Sequence, residues 1–211
     1  MKYIGMPMDM WVLFAKSFRK QLTVVLGYDV AMSKIITKKA KLKHKGIIQS
    51  LPEFEKGDRF KMNIVNCAMI GAFILSMSKR PDVERLTEYY AKSMMTKPMK
   101  WFCHKSGKAK YIKKDIAKME ATAKLKAADR NPYSWNMDFY EYPDGSGYEG
   151  RFTKCGICVL MKRLGLYDLI PALCHLDYTM SEAGGVTNFV REYTLAFGGS
   201  YCDCGYKKKN K

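Results

Sequence analysis

Near Asn131-Pro132 the hydrophobic period of this chain changes, and that change limits the folds open to it. Before it, apolar residues recur at helical spacing, as in Trp11, Phe14, Ala15, Phe18 and Leu22, or Ile112, Ile116, Met119 and Ala123. After it, aromatic-rich segments alternate, with turns at Pro143-Asp144-Gly145-Ser146-Gly147 and Gly198-Gly199-Ser200. A helical stripe and a two-residue alternation bury different faces, so one chain holding both needs helices packed on a sheet. The expected class is α+β: a helical N-terminal part over 1–130, packed against a small antiparallel sheet over 131–206 that runs hairpin, two helices, hairpin. Residues 207–211 read as a frayed basic tail, and the whole as one folded unit.

Local signals place the elements. Asp9 is expected to cap a helix over about 10–26, and Asp29 a second that ends at Gly46. Phe60–Ser78 reads as a buried helix, too short in its apolar run to span a membrane. Pro81-Asp82 opens another helix, and one long basic helix is expected over Lys108–Ala128, preceded by Gly107. Strands are expected over Tyr133–Tyr142, Tyr148–Thr153, Asn188–Phe197 and Tyr201–Tyr206, and helices over Cys155–Leu164 and Leu166–Ser181.

Charge is unevenly placed. Of the net +17, residues 1–130 carry all of it, with 28 Lys and Arg against 11 Asp and Glu; residues 131–211 hold 9 of each. Lysine dominates, no nucleic-acid motif accompanies it, and the lysine-rich helices read as solvated faces, so neither nucleic acid nor membrane is an expected partner. A small-molecule substrate is expected, and a homo-oligomer is compatible with the composition. No secretory signal is visible, so the seven cysteines read as reduced thiols of a cytoplasmic protein.

Five of those cysteines fall late, as Cys155-Gly-Ile-Cys158, Cys174-His-Leu-Asp177 and Cys202-Asp203-Cys204. Cys155 is expected where a strand passes into a helix; free N–H groups and the helix dipole favour a thiolate there, and Lys154 adds positive charge. The alternative is a small buried residue. Cys174 and Asp177, three apart, would share one face of a helix, and Asp177 either handles a proton or a substrate nitrogen or caps a turn. Arg191 and Thr194 are placed on the strand entering the last hairpin, where Arg191 either holds a substrate acid or pairs with Glu192 or Glu182. The same thiols open a metal alternative, zinc or an iron–sulfur cluster through Cys155, Cys158, Cys174 and Cys202. Only one of Cys202 and Cys204 is expected at a shared site, and no cofactor is the leading expectation.

The pieces Phe152-Thr153-Lys154-Cys155, Leu164-Gly165-Leu166, Leu173-Cys174-His175-Leu176-Asp177, Thr194-Leu195-Ala196-Phe197-Gly198-Gly199 and Cys202-Asp203 resemble the L-2-amino-thiazoline-4-carboxylic acid hydrolase family over about residues 134–206. The resemblance implies a hydrolase that opens a cyclic amidine such as 2-aminothiazoline-4-carboxylate to N-carbamoyl-cysteine. It implies a catalytic set of Cys155, Cys174, Asp177 and Cys202, with Arg191, Thr194 and Asp203 as substrate contacts. Cys158 and Cys204 are then structural. The chain departs from the family in carrying Cys204 where an aromatic is usual. The order hairpin, helices, hairpin with late cysteines also resembles 4-vinyl-reductase-type sensor domains, which would make the protein a small-molecule sensor or metal-binding module.

Overall fold

A computed structural model of the protein describes residues 1 and 6–209. In chain order the elements are α1 (Met6–Val24), α2 (Val30–Gln49), α3 (Lys61–Ile74), α4 (Val83–Met94), α5 (Lys97–Lys108) and α6 (Lys113–Ala127). Then come β1 (Asp138–Glu141), β2 (Gly147–Phe152), α7 (Gly156–Arg163), α8 (Ile170–Cys174), α9 (Leu176–Gly184), β3 (Thr187–Val190) and β4 (Cys202–Lys208). Short 3-10 turns cover Tyr167–Leu169 and Leu195–Phe197. The class is α+β.

The chain groups into two compact units, residues 1–96 with 157–176, and residues 97–156 with 177–211. The first is helical. Asp29 and Asp82 cap α2 and α4 by accepting the N–H of Met32 (2.7 Å) and Arg85 (2.8 Å). Its core is aromatic and aliphatic: Phe18 stacks on Phe73 at 4.9 Å, Trp11 stacks on Phe73 at 5.7 Å, and Leu22, Ile36, Ile48, Ile70 and Leu86 fill the rest. Every residue of α3 from Cys67 to Ile74 is buried, as its unbroken apolar run requires. Among the described residues no helix is long and apolar enough to cross a membrane.

Several boundaries differ from expectation. α1 starts at Met6, so Asp9 lies within it rather than ahead of it; the Asp9 side chain is outside the described residues. α2 passes through Gly46 to Gln49, and α3 stops at Ile74. The stretch 166–181 resolves into a 3-10 turn, α8 and α9. Pro171, which lacks an N–H and cannot sit in a helix interior, occupies the first turn of α8.

The second unit carries one antiparallel sheet, in the order β1-β2-β4-β3. Gly147 is required at the start of β2, because a Cβ there would run into the carbonyl of Tyr206 on β4. The expected basic helix over Lys108–Ala128 starts later, as α6 at Lys113, and α5, ending at Lys108, precedes it. Tyr111 between them has φ 65°, and its N–H is held by the Asp115 carboxylate at 3.1 Å while its hydroxyl bonds Thr187 at 2.8 Å. Gly107 lies inside α5, where its bare Cα lets α9 approach: a Cβ would meet the Gly184 carbonyl. β4 extends through Lys207 and Lys208, paired with Gly147 and Thr187, so the expected frayed tail is sheet to that point; Asn210 and Lys211 are outside the described residues.

Candidate active site

Residues two apart on a strand share a face. On β4 this puts Cys202, Cys204 and Tyr206 on one side of the sheet and Asp203 on the other. The expectation that only one of the two cysteines reaches a shared site is therefore corrected: both face the same side. Cys204 lies opposite Gly150 of β2, which has no side chain to crowd it, and Tyr206 lies opposite Tyr148 and Phe189.

The expected strand over 188–197 ends at Val190, and the chain then turns through a loop. Asp203 holds that loop, its carboxylate accepting the N–H of Glu192 (2.7 Å) and of Tyr193 (2.6 Å). Thr194 opens the 3-10 turn, its hydroxyl accepting the Phe197 N–H at 3.3 Å. Neither Arg191 nor Thr194 is on a strand.

The loop delivers Arg191 into the unit. Its guanidinium is only 7 % exposed and donates to the Asp177 carboxylate at 2.6 Å and to the Cys204 sulfur at 2.9 Å, while its Nε donates to the Asp203 carbonyl at 3.3 Å. Its plane lies 4.8 Å from the Phe189 ring centre. Burial works against the guanidinium charge, but Asp177 and Cys204 outweigh it and raise its pKa. Arg191 thus forms a salt bridge, with Asp177 as its acid. Asp177 stands in the first turn of α9, where the helix dipole favours a carboxylate.

The thiols around Arg191 are held protonated. Burial pushes Cys204 up to about 12, with the Arg191 charge pulling the other way. Burial also raises Cys202, whose sulfur accepts the Leu195 N–H at 3.1 Å; the neighbouring Cys155 raises it further. Cys155 is half-buried and stands between β2 and α7, the expected strand-to-helix passage. Lys154 is the residue before it in sequence. Its ammonium donates to the carbonyls of Asp129 (2.7 Å) and Asn131 (3.0 Å). Cys158 and Cys174 belong to the first unit; Cys174 ends α8, and Asp177 stands in α9 of the second.

Asp177 also opens onto a cavity of about 180 Å³ within the second unit, walled by α5, α9, β3 and β4. Its polar lining is Asp177, Ser106, Ser181, Lys110 and Thr187; Phe102, Cys103, Met180 and Tyr206 make the apolar walls. Pockets for drug-sized ligands run from about 300 to 1,000 Å³, so a ligand here is small. Cys103 lies in α5 with its thiol raised by burial. Ser181, Lys110 and Cys103 escape a reading centred on the late cysteines. The signal available for Ser181 is its spacing: four residues after Asp177, it shares the same helix face. Within this unit, among the described residues, no three His, Cys, Asp or Glu side chains are grouped to hold a metal ion.

The Asp177 carboxylate is thus fixed by a buried guanidinium and lines a small cavity with both polar and apolar walls. The chain belongs to the L-2-amino-thiazoline-4-carboxylic acid hydrolase family, which it matches over residues 62–206. The match begins in α3, well before the late motifs. No curated protein and no solved structure matches the chain. The family is named for a hydrolase, which supports an enzyme role.

Proposed function

We propose that the protein hydrolyses a small cyclic amidine, with 2-aminothiazoline-4-carboxylate as the reference substrate. The observation that carries this reading is Asp177, which lines a small cavity and whose carboxylate is fixed by the buried Arg191. A carboxylate in that position holds a protonated amidine by charge-assisted hydrogen bonds and orients its carbon for attack. The fixed pair also limits the reorganisation needed as charge shifts during attack.

In this reading Cys155 is the nucleophile, because Cys202 and Cys204 are held as thiols by burial. Its sulfur bonds to the amidine carbon, the ring carbon–sulfur bond breaks, and the departing ring sulfur takes a proton. Water then adds to the same carbon, the Cys155 thiol leaves, and N-carbamoyl-cysteine is released, one water having been consumed. Cys202 is a further thiol beside Cys155. Asp203 and Thr194 hold the loop that carries Arg191 and act on the substrate through it.

The test is turnover by Asp177→Asn, Cys155→Ala and Cys174→Ala, each checked for folding by circular dichroism. Asp177→Asn and Cys155→Ala are expected to lose at least about 100-fold in rate, the scale of a positioned proton-transfer or nucleophilic group. Cys174→Ala is expected to retain turnover. Full activity in Cys155→Ala with loss in Cys174→Ala would move the nucleophile to Cys174.

A further inference from the structure

Two groups lining the cavity take no part in the reaction as proposed. Ser181 is 9 % exposed, and its hydroxyl has no hydrogen-bond partner among the described residues. A buried hydroxyl left unbonded is destabilising, and a ligand bonded to it removes that cost. Ser181 lines the cavity on the α9 face that carries Asp177, with a Cβ separation of about 5–6 Å expected for residues four apart.

The second group is Lys110, which follows α5. Its ammonium donates to the Tyr148 hydroxyl at 3.1 Å, and that hydroxyl donates to the Asp115 carboxylate at 2.9 Å. It also sits 3.7 Å from the centre of the Tyr206 ring, itself part of the cavity wall. This chain of contacts fixes a positive charge at the wall of a cavity whose other charged lining group is the Asp177 carboxylate. A lysine held over an aromatic face is oriented without being neutralised by it. A cavity with one fixed anion, one fixed cation and an unsatisfied hydroxyl is complementary to a small molecule bearing both charges.

We propose that this cavity binds its ligand as a zwitterion, Asp177 taking the cationic amidine and Lys110 with Ser181 taking a carboxylate on the same molecule. The amidine half rests on the hydrolase reading; the carboxylate half rests on Lys110 and Ser181. The experiment is calorimetric titration of the full chain with 2-aminothiazoline-4-carboxylate and with 2-aminothiazoline, which lacks the acid. Wild type, Ser181→Ala, Lys110→Met and Lys110→Arg are compared. Wild type is expected to prefer the acid-bearing compound by about tenfold or more, the scale of a hydrogen bond to a charged group. Lys110→Met is expected to erase that preference, Ser181→Ala to reduce it severalfold, and Lys110→Arg to keep it. Ser181→Ala removes one oxygen and Lys110→Arg keeps the charge, so the two remain informative if Lys110→Met does not fold. A preference absent in wild type, or unchanged in Ser181→Ala and Lys110→Met, overturns the carboxylate subsite. The failures separate: a preference that responds to these variants without any turnover removes the hydrolase reading and leaves the subsite, whereas turnover with an unresponsive preference does the reverse.

Discussion

The two units bury different kinds of group. The first closes over stacked aromatics and aliphatics, and its one buried histidine, His44, is neutral: burial lowers its pKa to about 4, against a weaker upward pull from a backbone hydrogen bond with Val65. The second buries charge, with Arg191 at 7 % exposure and Lys126 held by Asp129 at 2.6 Å and Ser134 at 2.8 Å. An apolar core satisfies the demand for burial by area alone, whereas a charged one is stable only when each partner is in place. The unit that bears the candidate site is therefore the one in which single polar substitutions are expected to have the larger and more lopsided consequences.

That contrast can be broken in order of size. Asp177→Ala leaves a buried guanidinium without its acid and is expected to cost about 4 kcal/mol in urea unfolding, whereas Arg191→Met is expected to cost about 2 kcal/mol. The asymmetry follows from exposure, since Asp177 is 45 % exposed and can return to water. Equal costs would contradict the view that the charge buried here is the guanidinium. Next comes His44. Its folded pKa lies below the ordinary 6.5, so its neutral form favours the native state above pH 6.5, and that contribution is lost as pH falls through about 4. The loss is expected to reach about 3 kcal/mol, and a His44→Phe variant is expected to show a correspondingly shallower fall in urea stability over this window. Smallest is Tyr89→Phe. It removes one hydroxyl donated to the Phe18 carbonyl at 3.3 Å in the first unit and is expected to cost about 1 kcal/mol or less.

Much of the fold was legible because its signals are local. Asp29 and Asp82 read as caps and are caps, and the unbroken apolar run of α3 reads as a buried helix and is one. The turns at 143–147 and 198–200 separate the expected segments. What the sequence hid is set by contacts distant along the chain. The break between α5 and α6 depends on Thr187, which bonds Tyr111 across 76 residues. β3 stops at Val190 because the following loop is anchored to Asp203, a partner ten to eleven residues on. The candidate site divides the same way. Cys155, Asp177, Cys202 and Arg191 stand out by residue type, but that Arg191 joins Asp177 to Cys204 cannot be read from spacing. The shared face of Cys202 and Cys204 was available from strand period alone. Lys110 lies among 37 Lys and Arg with nothing to mark it until the fold sets it at the cavity wall.

In the proposed reaction the carboxylate of Asp177 serves the opening of a cyclic amidine. The most direct measurement is the release of free thiol from 2-aminothiazoline-4-carboxylate by the purified full chain, followed with a thiol-specific reagent, for wild type and Asp177→Asn. Asparagine keeps an acceptor oxygen for Arg191, so the variant tests the charge rather than the fold. Wild type is expected to release thiol, and Asp177→Asn to do so about 100-fold or more slowly. No release by wild type, or equal rates in the two proteins, would contradict that reaction.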